Sequence, residues 1–196
     1  VGALGAIGQQ NLKRLLAYSS INNVGFILIG LAAATPAGVA ASLTYLAIYV
    51  AMVLGSFTAL LMLRDPAGNN LETFTDISGL STKRPALAWA LLALMFSLAG
   101  IPPLFGFWGK FVVFQAAVQA DLVALAAIGI AASVIGAFYY LKFIKVMFFD
   151  EPLREIETES PASHWAVLAI CVAIISPLGY LLTLPLGDWT AQGAAS

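Results

Sequence analysis

Lys110 stands inside a long apolar stretch, between Gly109 and Phe111 and eleven residues before Asp121. At about 1.5 Å per helical residue it lies about 16 Å from that end, near the middle of a bilayer's hydrocarbon layer. A lysine stem cannot snorkel to water over that distance. A charge at the centre of a membrane helix costs about 2.5–3.5 kcal/mol on insertion scales, so intramembrane lysines face a bundle interior and mark an ion or proton path. Water or an anion favours the charged form of such a lysine and apolar surroundings favour the neutral one, so a modest rearrangement loads or unloads a proton. Proton relay is therefore the expected chemistry; a lysine neutralised by a structural partner is the competing reading.

The residues around Lys110 set the scene for that chemistry. Pro102 and Pro103 remove backbone donors, and Gly100, Gly106 and Gly109 are expected to weaken the helix on both sides. A discontinuous helix follows, and such breaks occur at membrane depth where protein or a water-filled cavity surrounds the freed backbone groups. Asn22, Asn23, Tyr45, Tyr49, Ser97 and Gln115, with Ser133 and the pair Tyr139-Tyr140, could line a wet path. Helix–helix hydrogen bonding or interfacial anchoring is the alternative for each. All ten carboxylates fall in loops or at ends. A counter-charge for Lys110 is thus expected from outside this sequence, or its place is taken by water.

Other chemistries fare badly. Gly109-Lys110 lacks a glycine five positions earlier, so it is no phosphate loop. The one histidine, His164, precludes multi-histidine haem or zinc ligation, and the one cysteine, Cys171, precludes a disulfide framework or thiolate cluster. No cofactor and no metal are expected on this chain. A net charge of −1 leaves no basic surface for nucleic acid.

The elements that position these residues follow from composition. Of 196 residues 61% are apolar and 10% charged, with a mean hydropathy of +0.93; soluble domains carry about 25% charged residues. An all-α, polytopic transmembrane helix bundle with one Pro-broken helix is the expected fold, as a single membrane domain. Five stretches reach the roughly 20 apolar residues a crossing needs: 15–34, 39–63, 85–118, 122–149 and 164–186. Residues 1–9 are apolar but too short to cross and read as the tail of an earlier helix. From Pro85 to Asp121 a straight helix would be about 54 Å long against a core of about 30 Å, which also calls for a break. Lys13 and Arg14, then Arg64, Lys83 and Arg84, then Lys142, Lys145 and Arg154 flank alternate connections. The positive-inside rule therefore places those loops in the cytoplasm and the turns at Pro36 and Asp121 on the other side.

Two runs carry a resemblance: residues 9–21, QQNLKRLLAYSSI, and residues 97–111, SLAGIPPLFGFWGKF. Both resemble the antiporter-like, proton-translocating membrane subunits of respiratory complex I. The first run is shared with cation/proton antiporter subunits, and the second is more discriminating. The resemblance covers essentially the whole chain, as the last five of fourteen helices and the end of the ninth. It implies that the break before Lys110 makes a half-channel and that Lys110 relays protons. It also implies that the partners are other membrane subunits of complex I, lipid, water and protons, in a bacterial inner membrane, with NADH, FMN, iron–sulfur clusters and quinone held elsewhere in the assembly. A sister subunit has glutamate where this chain has Lys110, and another continues into a long lateral helix. Asn23 stands where relatives often have histidine, so no protonation is carried over to it. A multi-subunit cation/proton antiporter, a membrane-bound hydrogenase and a purely structural membrane subunit are the other readings.

Overall fold

The computed structural model describes residues 1–157, 159–182, 189–190 and 192–194. Its elements are α1 (Gly2–Ile7), α2 (Leu12–Ala32), α3 (Pro36–Leu61), α4 (Leu80–Lys83), α5 (Pro85–Ala99), α6 (Phe105–Gln119), α7 (Val123–Phe149) and α8 (Ala162–Ile175), followed by a 3-10 turn at Pro177–Leu182. Among the described residues there is no strand, only isolated bridges at Asn11–Thr73 and Arg64–Asn70. The protein is an all-α helix bundle.

Local chemistry sets the helix ends. The Asn11 side chain accepts the amide of Arg14 at 3.0 Å to start α2, and Thr35 accepts that of Gly38 at 3.0 Å, with Pro36 at the first position of α3. α2, α3 and α7 are each long and apolar enough to cross a membrane. Residues 85–118 are not one helix but two of 15 residues, α5 and α6, each about 22 Å long.

The last stretch differs from the expected 23-residue crossing. α8 stops at Ile175, because Pro177 offers no amide and disfavours helical backbone at Ser176, which turns extended (ψ 174°). The end of the expected 164–186 stretch lies outside the described residues, as does Asp188.

α3 runs through the middle, against α2, α5, α6 and α8, while α7 packs on α1, α2, α5 and α6. Tyr45, Tyr139, Tyr140, Phe26, Phe105 and Phe143 are the largest fully buried side chains. At the basic end the Arg84 guanidinium donates to the Met62 carbonyl (2.8 Å) and Ser160 Oγ (3.1 Å) and lies over Trp165. Lys13 pairs with Glu72 and Lys83 with Glu155. Arg84 thus ties the start of α5 to the end of α3 and the start of α8, and Lys13 holds α2 to the loop that follows α3. The opposite surfaces, such as Ile128, Val134 and Phe138 of α7, are exposed and apolar.

Candidate functional site

The break starts with a helix ending that consumes some carbonyls and leaves others. Gly100 takes the left-handed conformation (φ +83°), its amide bonds to Ser97 O (3.0 Å), and the amide of Ile101 bonds to Phe96 O (3.0 Å). This is the glycine-closed Schellman pattern. The next two carbonyls, of Leu98 and Ala99, would look for amides four residues on, at Pro102 and Pro103, which have none. Two orphaned acceptors therefore sit at the negative end of the α5 dipole.

Lys110 fills that vacancy from the second turn of α6. Its Nζ donates to Leu98 O (2.8 Å), Ala99 O (3.1 Å) and Ser133 Oγ of α7 (2.9 Å), and lies 5.0 Å from the Phe26 ring centroid. An ammonium has three N–H donors, and all three are used. The residue is 5% exposed. Gly100 also makes room for the stem: a Cβ there would stand 3.0 Å from Lys110 Cδ and 3.3 Å from Nζ.

Gly106 and Gly109 do not interrupt the helix; both lie within α6. Their role is close approach. A Cβ on Gly106 would meet Ser97 O at 2.1 Å, and one on Gly109 would meet the Tyr45 ring at 2.5 Å. The Gly106 amide donates to Ser97 Oγ (3.1 Å), so Ser97 joins the two half-helices and does not face Lys110. Pro102 and Pro103 form the connector, with a cis bond between them.

The remaining sequence candidates separate into two groups. Gln115 lies with Lys110 and Ser133 on the wall of a cavity of about 660 Å³ between α6 and α7. Asn23 is the hub of a second, fully buried set. It accepts from Tyr45 OH (2.6 Å) and donates to Ser19 O (2.8 Å), Ser19 Oγ (3.2 Å) and Tyr140 OH (3.3 Å), while Ser19 Oγ and Tyr140 OH bond to each other. Tyr49 stacks on Tyr45, with ring centroids 6.2 Å apart. Asn22 faces α7, its Nδ2 3.5 Å from where a Cβ on Gly136 would be. Among the described residues no hydrogen bond joins the two sets.

Every described carboxylate is outside the helices, and none touches Lys110. Within this chain the negative ends that face Nζ are backbone carbonyls, those of Leu98 and Ala99. Side-chain reading overlooked them, although the signal was there in two prolines three and four residues after Ala99 and Leu98. His164 enters α8 with its Nδ1 buried and unpartnered.

The chain as a whole is similar to known membrane proteins. Residues 1–136 match the family model described as NADH:quinone oxidoreductase/Mrp antiporter, transmembrane. Over all 196 residues the chain is 71% identical to the NADH-quinone oxidoreductase subunit N of Erythrobacter litoralis (strain HTCC2594), spanning 40% of that protein. It superimposes with a TM-score of 0.81 on a chain of respiratory complex I from Thermus thermophilus with bound aureothin, at 32% identity, over 94% of this chain and 42% of that one. A chain of the Mrp complex from Dietzia sp. DQ12-45-1b shares the fold at a TM-score of 0.80 and 24% identity, over 97% of this chain and 44% of that one. The chain thus spans about two fifths of the length of the curated relative it matches. With its apolar spans and broken helix, it is a multi-pass membrane protein and belongs to the NADH:quinone oxidoreductase/Mrp antiporter transmembrane family.

Proposed function

We propose that the chain is part of a proton-translocating membrane subunit of an NADH:quinone oxidoreductase in a bacterial inner membrane, with Lys110 as a proton relay. The observation that carries this reading is the buried Lys110 Nζ on the carbonyls of Leu98 and Ala99. A purely structural lysine needs a lasting counter-charge. Here carbonyl dipoles and a hydroxyl take its place, and they can hold either the ammonium or the amine. The identity of 71% to a subunit N over the full chain supports this oxidoreductase over a separate antiporter.

In this reading the segments 64–84 and 142–160, which carry or are flanked by Lys and Arg, face the cytoplasm. Other membrane subunits cover the exposed apolar faces that lipid does not, and the NADH, FMN, iron–sulfur clusters and quinone belong to partner subunits. Quinone reduction there drives the protonation cycle here. Lys110→Met in the intact assembly removes the titrating group and keeps apolar volume. Assembly is expected to survive and proton translocation to fall sharply; translocation at the unmodified rate would refute the relay.

A further inference from the structure

Lys110 has three hydrogen-bond partners, and they are not equivalent. Leu98 O and Ala99 O are acceptors only, whereas the Ser133 hydroxyl can accept or donate. An ammonium offers three donors, which the three oxygens accept. A neutral amine offers two donors and one lone pair. The two carbonyls can keep the two N–H groups, but neither can serve the lone pair. Ser133 alone in this shell can reverse its bond and donate to Nζ.

The placement of the hydroxyl fits such a reversal. The contacts to Leu98 O and Ala99 O are buried, while the one to Ser133 Oγ is only partly so. Ser133 lies on the wall of the cavity of about 660 Å³, whose lining is mostly apolar (Phe107, Phe111, Phe114) but includes the amides of Gln115 and Gln119. A water entering there would find polar partners in those two side chains.

We infer that Ser133 is the group through which Lys110 exchanges its proton with the cavity, an inference that rests on the relay reading above. In the unloading step an Nζ–H bond breaks and an Oγ–H bond forms, while the hydroxyl's original proton passes to a water in the cavity. The serine ends neutral and donates to the new lone pair, and the water carries the proton away. Loading is the reverse. The lysine stays docked on α5 throughout, so the cycle needs no swing of its stem.

The test compares Ser133→Thr with Ser133→Val in the intact assembly reconstituted into vesicles, since the two side chains are nearly isosteric and differ in the hydroxyl. Proton translocation, quinone reduction and the effect of D2O on the translocation rate are measured, with Lys110→Met alongside. The expected result is that Ser133→Thr translocates within about twofold of the unmodified protein. Ser133→Val should be about tenfold slower, the weight of one hydrogen bond to a charged group, with an altered D2O effect. Equal rates and D2O effects for the two variants, with Lys110→Met inactive, would overturn the role of Ser133 and leave the relay reading standing. Normal translocation by Lys110→Met would remove both.

Discussion

Gly100→Ala perturbs the break at its narrowest point. The backbone there has φ +83°, a conformation that costs a residue with a Cβ roughly 1–2 kcal/mol. That strain burdens every state of the protein alike. The added methyl does more, because it would stand 3.0 Å from Lys110 Cδ and 3.3 Å from Nζ, so the stem has to give by a few tenths of an ångström. If Nζ leaves one of the two carbonyls, it forfeits a charge-assisted hydrogen bond worth about 1.5–3 kcal/mol. At about 1.4 kcal/mol per factor of ten, the docked lysine becomes on the order of 10- to 100-fold less populated. The assay is proton translocation per electron pair by the assembled complex in vesicles. Gly68→Ala serves as control, since it has the same sign of φ (+86°) but open space around the new Cβ. Gly100→Ala should lose translocation and Gly68→Ala should keep it. Equal and unmodified translocation by both would refute the idea that docking on α5 matters.

Three further outcomes follow from the packing. Gly106→Ala puts a Cβ 2.1 Å from the Ser97 carbonyl, a backbone clash that α5 and α6 cannot relieve separately, so the variant should fail to assemble; a normal yield of complex by native gel would contradict this. Asn23→Leu leaves Tyr45 OH without its acceptor and should lower the thermal stability of the bundle by about 1–3 kcal/mol, while translocation persists at moderate temperature; loss of translocation with stability intact would make Asn23 part of the path. On the basic face, hydrogen bonds from Lys13 and then Asn11 hold the Glu72 carboxyl below its usual range, and at Asp76 those from Thr73 and the Glu72 amide outweigh burial to the same effect. Depressed carboxylates stabilise above their ordinary range and lose that contribution as the pH falls through it. Hydrogen exchange in loop 64–84 should therefore stay slow at pH 6 and accelerate only below about pH 4; acceleration centred near pH 6 would contradict the assignment.

The fold class was legible because a membrane helix is written in composition: long apolar runs bounded by Arg64, Lys83 and Arg84, or by Thr35-Pro36, leave few alternatives. The break was legible too, since Pro102-Pro103 and Gly100 each forbid a continuous helix. The exact shape of the last stretch was not. Apolar residues continue past Pro177, so hydropathy ran on where the α-helix stops. The roles of Gly106 and Gly109 were hidden for a related reason: a glycine in sequence does not say whether it loosens its own helix or admits a neighbour, and here Ser97 and Tyr45 decide. Lys110 was found by depth and charge alone. Of its three partners Ser133 was among the sequence candidates; the other two were missed because they belong to the backbones of Leu98 and Ala99, whose side chains are silent, and are exposed only by what Pro102 and Pro103 lack. The division of the polar residues between Lys110 and the Asn23 hub depends on how α2, α6 and α7 rotate against each other, which hydrogen-bonding side chains spread over 120 residues do not encode locally.

Lys110→Arg in the intact assembly bears most directly on the claim that Lys110 works by giving up its proton. A guanidinium keeps its charge, with a pKa above about 12, and can still donate to the carbonyls of Leu98 and Ala99, so a structural pair would be preserved while deprotonation is denied. The measurement is proton translocation coupled to quinone reduction in vesicles, with assembly checked on the same preparation. An assembled complex that does not translocate through this variant is the predicted result; an assembled complex that translocates at the unmodified rate would show that Lys110 never needs to lose its proton.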